Sequence, residues 1–322
     1  MNLTSAHSIG DRAIAGVASA AAAAAMAYLI ERRVVKQWSS STDSAADEPR
    51  TIYGTPRLVT TPDGAELSVI EAGSGPTVIM GHGMAANKHY WAPIARRLVD
   101  RGHRIVAFDQ RGHGESTMGS EDLSAAQLGD DLDLVIGALA PDGATLAGHS
   151  MGGMGLQAWL AGHPDRRDLA HGIVLIASLP SLDKSPLSGV VGALAGLPIS
   201  RLVMRHRLHG RLFARGGVGT TPSATVLDVV RDGWARTSDE ARSAAIADIP
   251  GFDFTDLLTS LTIPTTVICG EQDRITPPSE SERIASIVPG AKLVLIPGGG
   301  HAVVWEEPDL IANEILTLHD QP

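Results

Sequence analysis

Ten residues near the middle of the chain, Ala144-Thr145-Leu146-Ala147-Gly148-His149-Ser150-Met151-Gly152-Gly153, constrain its fold more than any other stretch. They read as a short apolar strand that turns at Gly-x-Ser-x-Gly straight into a helix reaching about Gly162. A serine at so sharp a turn is held in a strained backbone geometry with its hydroxyl pushed out above the sheet. A side chain two positions to either side would strike the neighbouring strand or helix, and Gly148 and Gly152 avoid this. The first N–H groups of the helix point at the same spot, which suits a developing negative charge. Short glycine motifs also recur by chance. The assignment therefore depends on whether the chain supplies a base, an acid and oxyanion donors in a workable order.

The surrounding pattern is that of an α/β protein. Arg57 to Thr61 and Glu66 to Glu71 look like strands joined by a turn at Pro62-Asp63-Gly64. Thr77-Val78-Ile79-Met80 is a continuous apolar run of the kind buried on both faces. Further strands are expected at Arg104 to Phe108, Ala144 to Ala147, Gly172 to Ile176, Thr266 to Cys269 and Lys292 to Ile296. Helical stretches lie between them, and a last helix, about Pro308 to Leu318, closes the chain. This alternation predicts a doubly wound, mostly parallel eight-stranded sheet with helices on both faces. The core would comprise residues 52–177 and 263–322. Cys269, the sole cysteine, falls in a strand and reads as an inert core thiol.

One interval breaks the rhythm. Residues 178–262 show no buried-strand pattern and are too long for a plain loop, so they are expected to form a helical cap inserted before the last two strands. Helical segments are expected around Leu187 to Leu194, Ile199 to Phe213 and Ala224 to Thr237. In the middle one, Arg201, Arg205, Arg207, Arg211 and Arg215 alternate with apolar residues. That pattern fits either docking on an anionic lipid surface or an ordinary amphipathic helix with a solvated basic face.

The N-terminus (residues 1–36) contains an uncharged apolar stretch, Ala13 to Ile30, in which ten of eighteen residues are alanine. At about 1.5 Å per residue it would just cross a hydrocarbon core. A membrane anchor, a cleavable export signal and an Ala-rich helix packed on the soluble domain all remain open. Arg32, Arg33 and Lys36 would leave an anchored catalytic domain on the cytoplasmic side. Residues 37–51 are polar and patternless and read as a linker. A net charge of −10 argues against nucleic acid as a partner.

Acyl transfer through a serine needs a base, an acid to orient it and donors for the oxyanion. His301 follows a late strand and the turn Pro297-Gly298-Gly299-Gly300, which places it as the base. Asp273, at the crest of the loop after the preceding strand, is the orienting acid, with Glu271 as local competitor. The oxyanion loop should follow the third strand, where Gly81-His82-Gly83-Met84 stands. The N–H groups of Met84 and Met151 are the expected donors, with His82, Gly83 and His149 lining the substrate site. There is no His-Glu-x-x-His and no cysteine cluster, so neither metal nor cofactor is expected.

With these residues in place the chain resembles the α/β-hydrolase fold family over roughly Ile52 to Leu318. Five separated matches carry the resemblance: His82-Gly83, Asp109 to Ser116, Gly148 to Gly153, Gly270-Glu271-Gln272-Asp273 and Gly300-His301. Within the family it is most similar to lid-bearing esterases, monoacylglycerol-type lipases and cofactor-free haloperoxidase-like perhydrolases. The resemblance implies that Asp109 and Arg111 belong to a structural loop. A serine at position 150 sets the chain apart from epoxide hydrolases and haloalkane dehalogenases of this fold, which use aspartate. His-Gly-Met-Ala in place of His-Gly-Gly-Gly implies medium- to long-chain acyl substrates. Ala85-Ala86-Asn87 lacks the proline that often accompanies peroxide as acceptor. The expectation is a serine hydrolase of a small, lipophilic carboxylic ester. A thioesterase, acyltransferase or perhydrolase with the same triad is the alternative, and a membrane-tethered binding protein on a retired hydrolase fold a more distant one.

Overall fold

A computed structural model describes residues 45–183, 193, 194 and 196–319, together with 26, 28, 29, 33 and 43. The chain divides into two compact units, Met1–Ser44 and Ala45–Pro322. In the first, Met26, Tyr28, Leu29 and Arg33 are helical and exposed. The rest of the Ala13 to Ile30 stretch lies outside the described residues. Among the described residues no helix is long and apolar enough to cross a membrane.

The second unit is built on one eight-stranded sheet. Its strands are β1 (Thr55–Thr60), β2 (Glu66–Ala72), β3 (Thr77–Gly81), β4 (Arg104–Phe108), β5 (Ala144–His149), β6 (Ala170–Ile176), β9 (Thr265–Gly270) and β10 (Lys292–Ile296). Their order across the sheet is β1-β2-β4-β3-β5-β6-β9-β10. β2 pairs antiparallel with β1 and β4, and every other neighbour is parallel. All eight expected strands form. β5 and β9 are buried along their whole length, as parallel strands covered on both faces must be.

Helices α1 (Ala92–Val99), α2 (Ala125–Leu139) and α3 (Met151–Gly162) join the first six strands. Ser124 starts α2 by accepting the Gln127 N–H in its side-chain oxygen. Leu67, Val69, Ile79, Val106, Leu146, Trp159 and Val267 belong to the principal hydrophobic cluster against the sheet. Cys269 is fully buried, and burial pushes its thiol up to about 12.

Between β6 and β9 the chain leaves the sheet. Two-residue strands, β7 (Ser181–Leu182) and β8 (Phe252–Asp253), pair antiparallel at the base of the excursion. Between them stand α4 (Pro198–Arg205), α5 (Arg207–Ala214), α6 (Ala224–Arg236) and α7 (Asp239–Ala247). The single helix expected over Ile199 to Phe213 is thus broken at His206, whose backbone is extended (φ −70°, ψ 121°). The helix expected over Leu187 to Leu194 lies largely outside the described residues. α7 went unforeseen, although Ser238 caps it by accepting the Ala241 N–H. Helices α8 (Thr255–Thr259), α9 (Pro278–Ile287), α10 (Val303–Glu306) and α11 (Pro308–His319) complete the unit.

The expected linker is too long at its C-terminal end. Ala45 is buried, and Glu48 binds Arg97 at 2.7 Å and Arg96 at 3.1 Å, so residues 45–51 pack as part of the domain.

Candidate active site

The turn from β5 into α3 sets Ser150 at φ 51°, ψ −115°, a backbone conformation that costs a non-glycine residue on the order of 1–3 kcal/mol. The packing around it leaves no alternative. A Cβ at Gly148 would lie 2.5 Å from the Gly152 carbonyl oxygen, and one at Gly152 would lie 2.1 Å from that of Gly81. The Ser150 N–H is tied to the Ile176 carbonyl at 2.8 Å, and the Ser178 hydroxyl donates to the Ser150 carbonyl at 3.1 Å.

Asp273 and His301 meet at the same edge of the sheet, with Asp273 Oδ2 2.8 Å from His301 Nδ1. The buried carboxylate also accepts the N–H groups of Ile275 at 2.8 Å and Thr276 at 3.0 Å. Burial alone would raise the Asp273 carboxyl. The hydrogen bond and charge of His301, aided by the two amides, outweigh that and hold it below the usual range. Asp273 therefore stays ionised and fixes the proton of His301 on Nδ1, leaving Nε2 free to accept. Glu271, the local competitor, is exposed and has no bond to His301.

Ser150 and His301 share the wall of a cavity of about 420 Å³ with Gly83, Met84 and His149. Tyr90, Phe213, Trp234, Ile275 and Trp305 make much of that wall apolar, and Arg50, Asp232 and Arg236 add charged groups. Among the hydrogen bonds of the described residues none joins Ser150 Oγ to His301. Such bonds commonly tighten only with substrate in place. Met151 is the first residue of α3, so its N–H has no acceptor within the helix. Among the described residues no group of three His, Cys, Asp or Glu side chains is placed to hold a metal ion.

His82 does not line the substrate site. It is fully buried and lies behind the oxyanion loop, with Nδ1 donating to the Gly83 carbonyl at 2.7 Å and Nε2 accepting the Gln110 N–H at 3.0 Å. With both ring nitrogens taken, it shapes the loop. Gly83 does face the cavity, and a Cβ there would meet His149 Nδ1 at 2.8 Å. His149 is buried, and burial first, then the neighbouring His301, pushes its imidazole down to about 3. It is therefore neutral, and its Nε2–H donates to the His301 carbonyl at 2.9 Å. The residue before Ser150 thus holds the backbone of His301. Asp109 and Arg111 are scaffold as expected. Asp109 accepts Lys88 Nζ at 2.7 Å, and Arg111 is clamped between Asp131 at 2.6 Å and Asp63 at 2.9 Å.

Three supports escaped the sequence. The Thr276 hydroxyl lies 2.8 Å from Asp273 Oδ2 and 3.2 Å from His301 Nδ1, bracing the acid–base pair; its only signal was the Asp-x-x-Thr spacing. Glu306 accepts the Gly219 N–H at 2.6 Å in one carboxylate oxygen and the Gly300 N–H at 2.7 Å in the other. It clips a strap of the excursion, residues 217–220, to the loop carrying His301. Two backbone bonds reinforce the clip, Thr220 N–H to Gly298 O at 2.8 Å and Ala302 N–H to Gly217 O at 3.0 Å. On the other side, α6 approaches the oxyanion loop so closely that a Cβ at Gly233 would lie 2.2 Å from the Ala85 carbonyl oxygen. No sequence signal marks these last two, because they join segments distant in the chain.

Comparison with known proteins identifies the fold. A sequence profile described as the alpha/beta hydrolase fold matches residues 76–308. The chain is 28% identical to a non-heme haloperoxidase of Rhodococcus erythropolis over 81% of its own length and 98% of that protein's. It is 27% identical to the bifunctional esterase/perhydrolase DCH of Acinetobacter calcoaceticus, again over 81% of this chain and 98% of that one. Among solved structures, a malate-bound thermophilic esterase from Thermogutta terrifontis superposes with a TM-score of 0.69 at 26% identity. The match covers 83% of this chain and 100% of the esterase.

Proposed function

The chain belongs to the alpha/beta hydrolase fold family, and from that premise we propose that it is a serine hydrolase that cleaves small carboxylic esters with an apolar acyl group. One observation carries the reading: a serine in a strained turn and a buried, hydrogen-bonded Asp273–His301 pair open onto one largely apolar cavity.

In this mechanism Ser150 Oγ attacks the acyl carbon while its proton passes to His301 Nε2. The oxyanion accepts the N–H groups of Met84 and Met151. The C–O bond to the alcohol then breaks, and His301 returns the proton to the departing alkoxide. Water enters, gives its proton to Nε2 and attacks the acyl-enzyme. Collapse of the second intermediate frees the acid and returns the proton to Ser150. Asp273 remains a carboxylate throughout, stabilising the imidazolium. The apolar lining supports an apolar acyl group, whose transfer out of water contributes about 0.8 kcal/mol per buried methylene.

The names of two relatives, a haloperoxidase and an esterase/perhydrolase, favour one variant in which hydrogen peroxide replaces water and the acyl-enzyme leaves as a peracid. Hydrolysis of nitrophenyl esters of increasing chain length by the parent and by Ser150→Ala tests the main reading. Loss of at least about a thousandfold in the variant is expected, and equal rates would end it. Peracid formation in the presence of peroxide, measured on the same proteins, decides the variant.

A further inference from the structure

An ordinary amphipathic helix turns its apolar stripe inward. α4 and α5 do the reverse. On α4, Ile199, Leu202 and Val203 follow i, i+3, i+4 spacing and so share one face; they are 58%, 63% and 40% exposed, whereas Met204 is turned in. On α5 the exposed apolar residues are Leu212 and Phe213, while Arg211 is buried against Asp228 at 2.6 Å. Phe213 also lines the cavity, and so does Ile275, itself 58% exposed. The exposed apolar surface therefore runs continuously into the wall of the site.

Charge is segregated in the same place. The protein carries a net −10, yet between Asp183 and Asp228 there are six Lys/Arg and no Asp or Glu. Arg205 is exposed, and Arg207, 65% exposed at its side chain, has only a 4.0 Å contact to Asp228. An exposed apolar stripe edged by exposed arginines suits a surface that offers both hydrocarbon and negative charge.

We propose that α4 and α5 form a docking face for a lipid surface bearing anionic headgroups. Leu202, Leu212 and Phe213 enter the headgroup–acyl boundary, and Arg205 and Arg207 meet the headgroups. Docking in this orientation brings the cavity, through Phe213, to the lipid boundary, so an apolar ester reaches Ser150 without crossing bulk water. That last consequence rests on the hydrolase reading; the docking does not.

The test uses the full chain carrying Leu202→Cys, labelled with an environment-sensitive thiol fluorophore. Cys269 is fully buried, so the label reports position 202. Vesicles are pure phosphatidylcholine, or phosphatidylcholine with about a third phosphatidylglycerol. A blue shift and partitioning at least tenfold stronger into the anionic vesicles are expected. At about fivefold per arginine near an anionic surface, adding Arg205→Gln and Arg207→Gln should weaken partitioning roughly twenty- to thirtyfold. Both arginines lie outside the cavity, so turnover of a soluble short-chain ester should not change.

No shift with anionic vesicles, or equal partitioning into both kinds, overturns the proposal. An emission already blue without vesicles and reversed by deleting residues 1–36 also overturns it, assigning the face to the chain's own N-terminal segment. Soluble-ester turnover by the same labelled protein reports separately on the hydrolase reading, so the two can fail independently.

Discussion

Removing the Glu306 carboxylate tests whether the excursion between β6 and β9 holds His301, the proposed base, in place. Its two oxygens take the N–H groups of Gly219 and Gly300, and both glycines are buried. Glu306→Ala leaves two buried donors without their acceptor, at about 1–3 kcal/mol each. One term offsets part of this. Burial raises the Glu306 carboxyl, and the charges of Asp273 and Glu307 push the same way, so the folded state carries a penalty for the ionised form. A net loss of about 2–4 kcal/mol is expected, read as a lower urea midpoint with an unchanged slope.

Glu306→Gln removes the charge penalty but keeps only one good acceptor, and it should lose about half as much. Activity should separate the two parameters. A displacement of His301 by even 1 Å costs up to about a hundredfold in kcat, while the apolar contacts that set KM stay in place. Soluble-ester kinetics and urea titration on the same preparations suffice. Glu306→Ala with kcat within twofold of the parent and an unmoved midpoint would refute this account.

Other expectations follow from the same geometry. Gly152→Ala places a Cβ 2.1 Å from the Gly81 carbonyl oxygen, a contact with backbone that no side-chain rotation relieves, and should cost at least about 1–3 kcal/mol with near-complete loss of activity. Retention of parental melting temperature and turnover would contradict the observed turn. Gly233→Ala places a Cβ 2.2 Å from the Ala85 carbonyl oxygen, again a backbone atom, so it should lower the melting temperature as well as lower kcat on all esters alike by pressing α6 on the oxyanion loop; selective loss on long esters alone would point to the cavity wall instead. His149 and His113 are pushed down by burial to about 3 and about 4, below the unfolded value of about 6.5. Their contribution is present above that value and is lost as pH falls: between about pH 6 and 4 the unfolded chain binds two more protons, and stability should drop by about 2.7 kcal/mol per unit. Urea midpoints that stay level from pH 7.5 to 5 would show that the two rings are not buried neutral.

What the sequence could reveal depended on how local each signal was. The strands were legible because continuous runs such as Thr77 to Met80 mark burial on both faces. The strained turn at Ser150 was legible because Gly148 and Gly152 are demanded by contacts within one turn and with the adjacent strand. Asp273 and His301 could be named from their positions after consecutive strands. His82 misled because a histidine in the oxyanion loop looks available for substrate; only the fold reveals Gln110 and the Gly83 carbonyl taking both ring nitrogens. The break at His206 carries no proline or glycine of its own. The Glu306 clip and the Gly233 contact join segments far apart in sequence, so no spacing announces them. The outward stripe of α4 was equally hidden, since periodicity shows that a helix is two-faced and not which face is turned in.

The central claim is that Ser150 becomes acylated because Asp273 and His301 activate it. Peptide mapping by mass spectrometry after treatment with a fluorophosphonate tests it most directly. The account predicts one adduct, on Ser150, formed at least about a hundredfold more slowly in His301→Gln and absent from Ser150→Ala. An adduct on another residue, or labelling of Ser150 at the parental rate without His301, would contradict it.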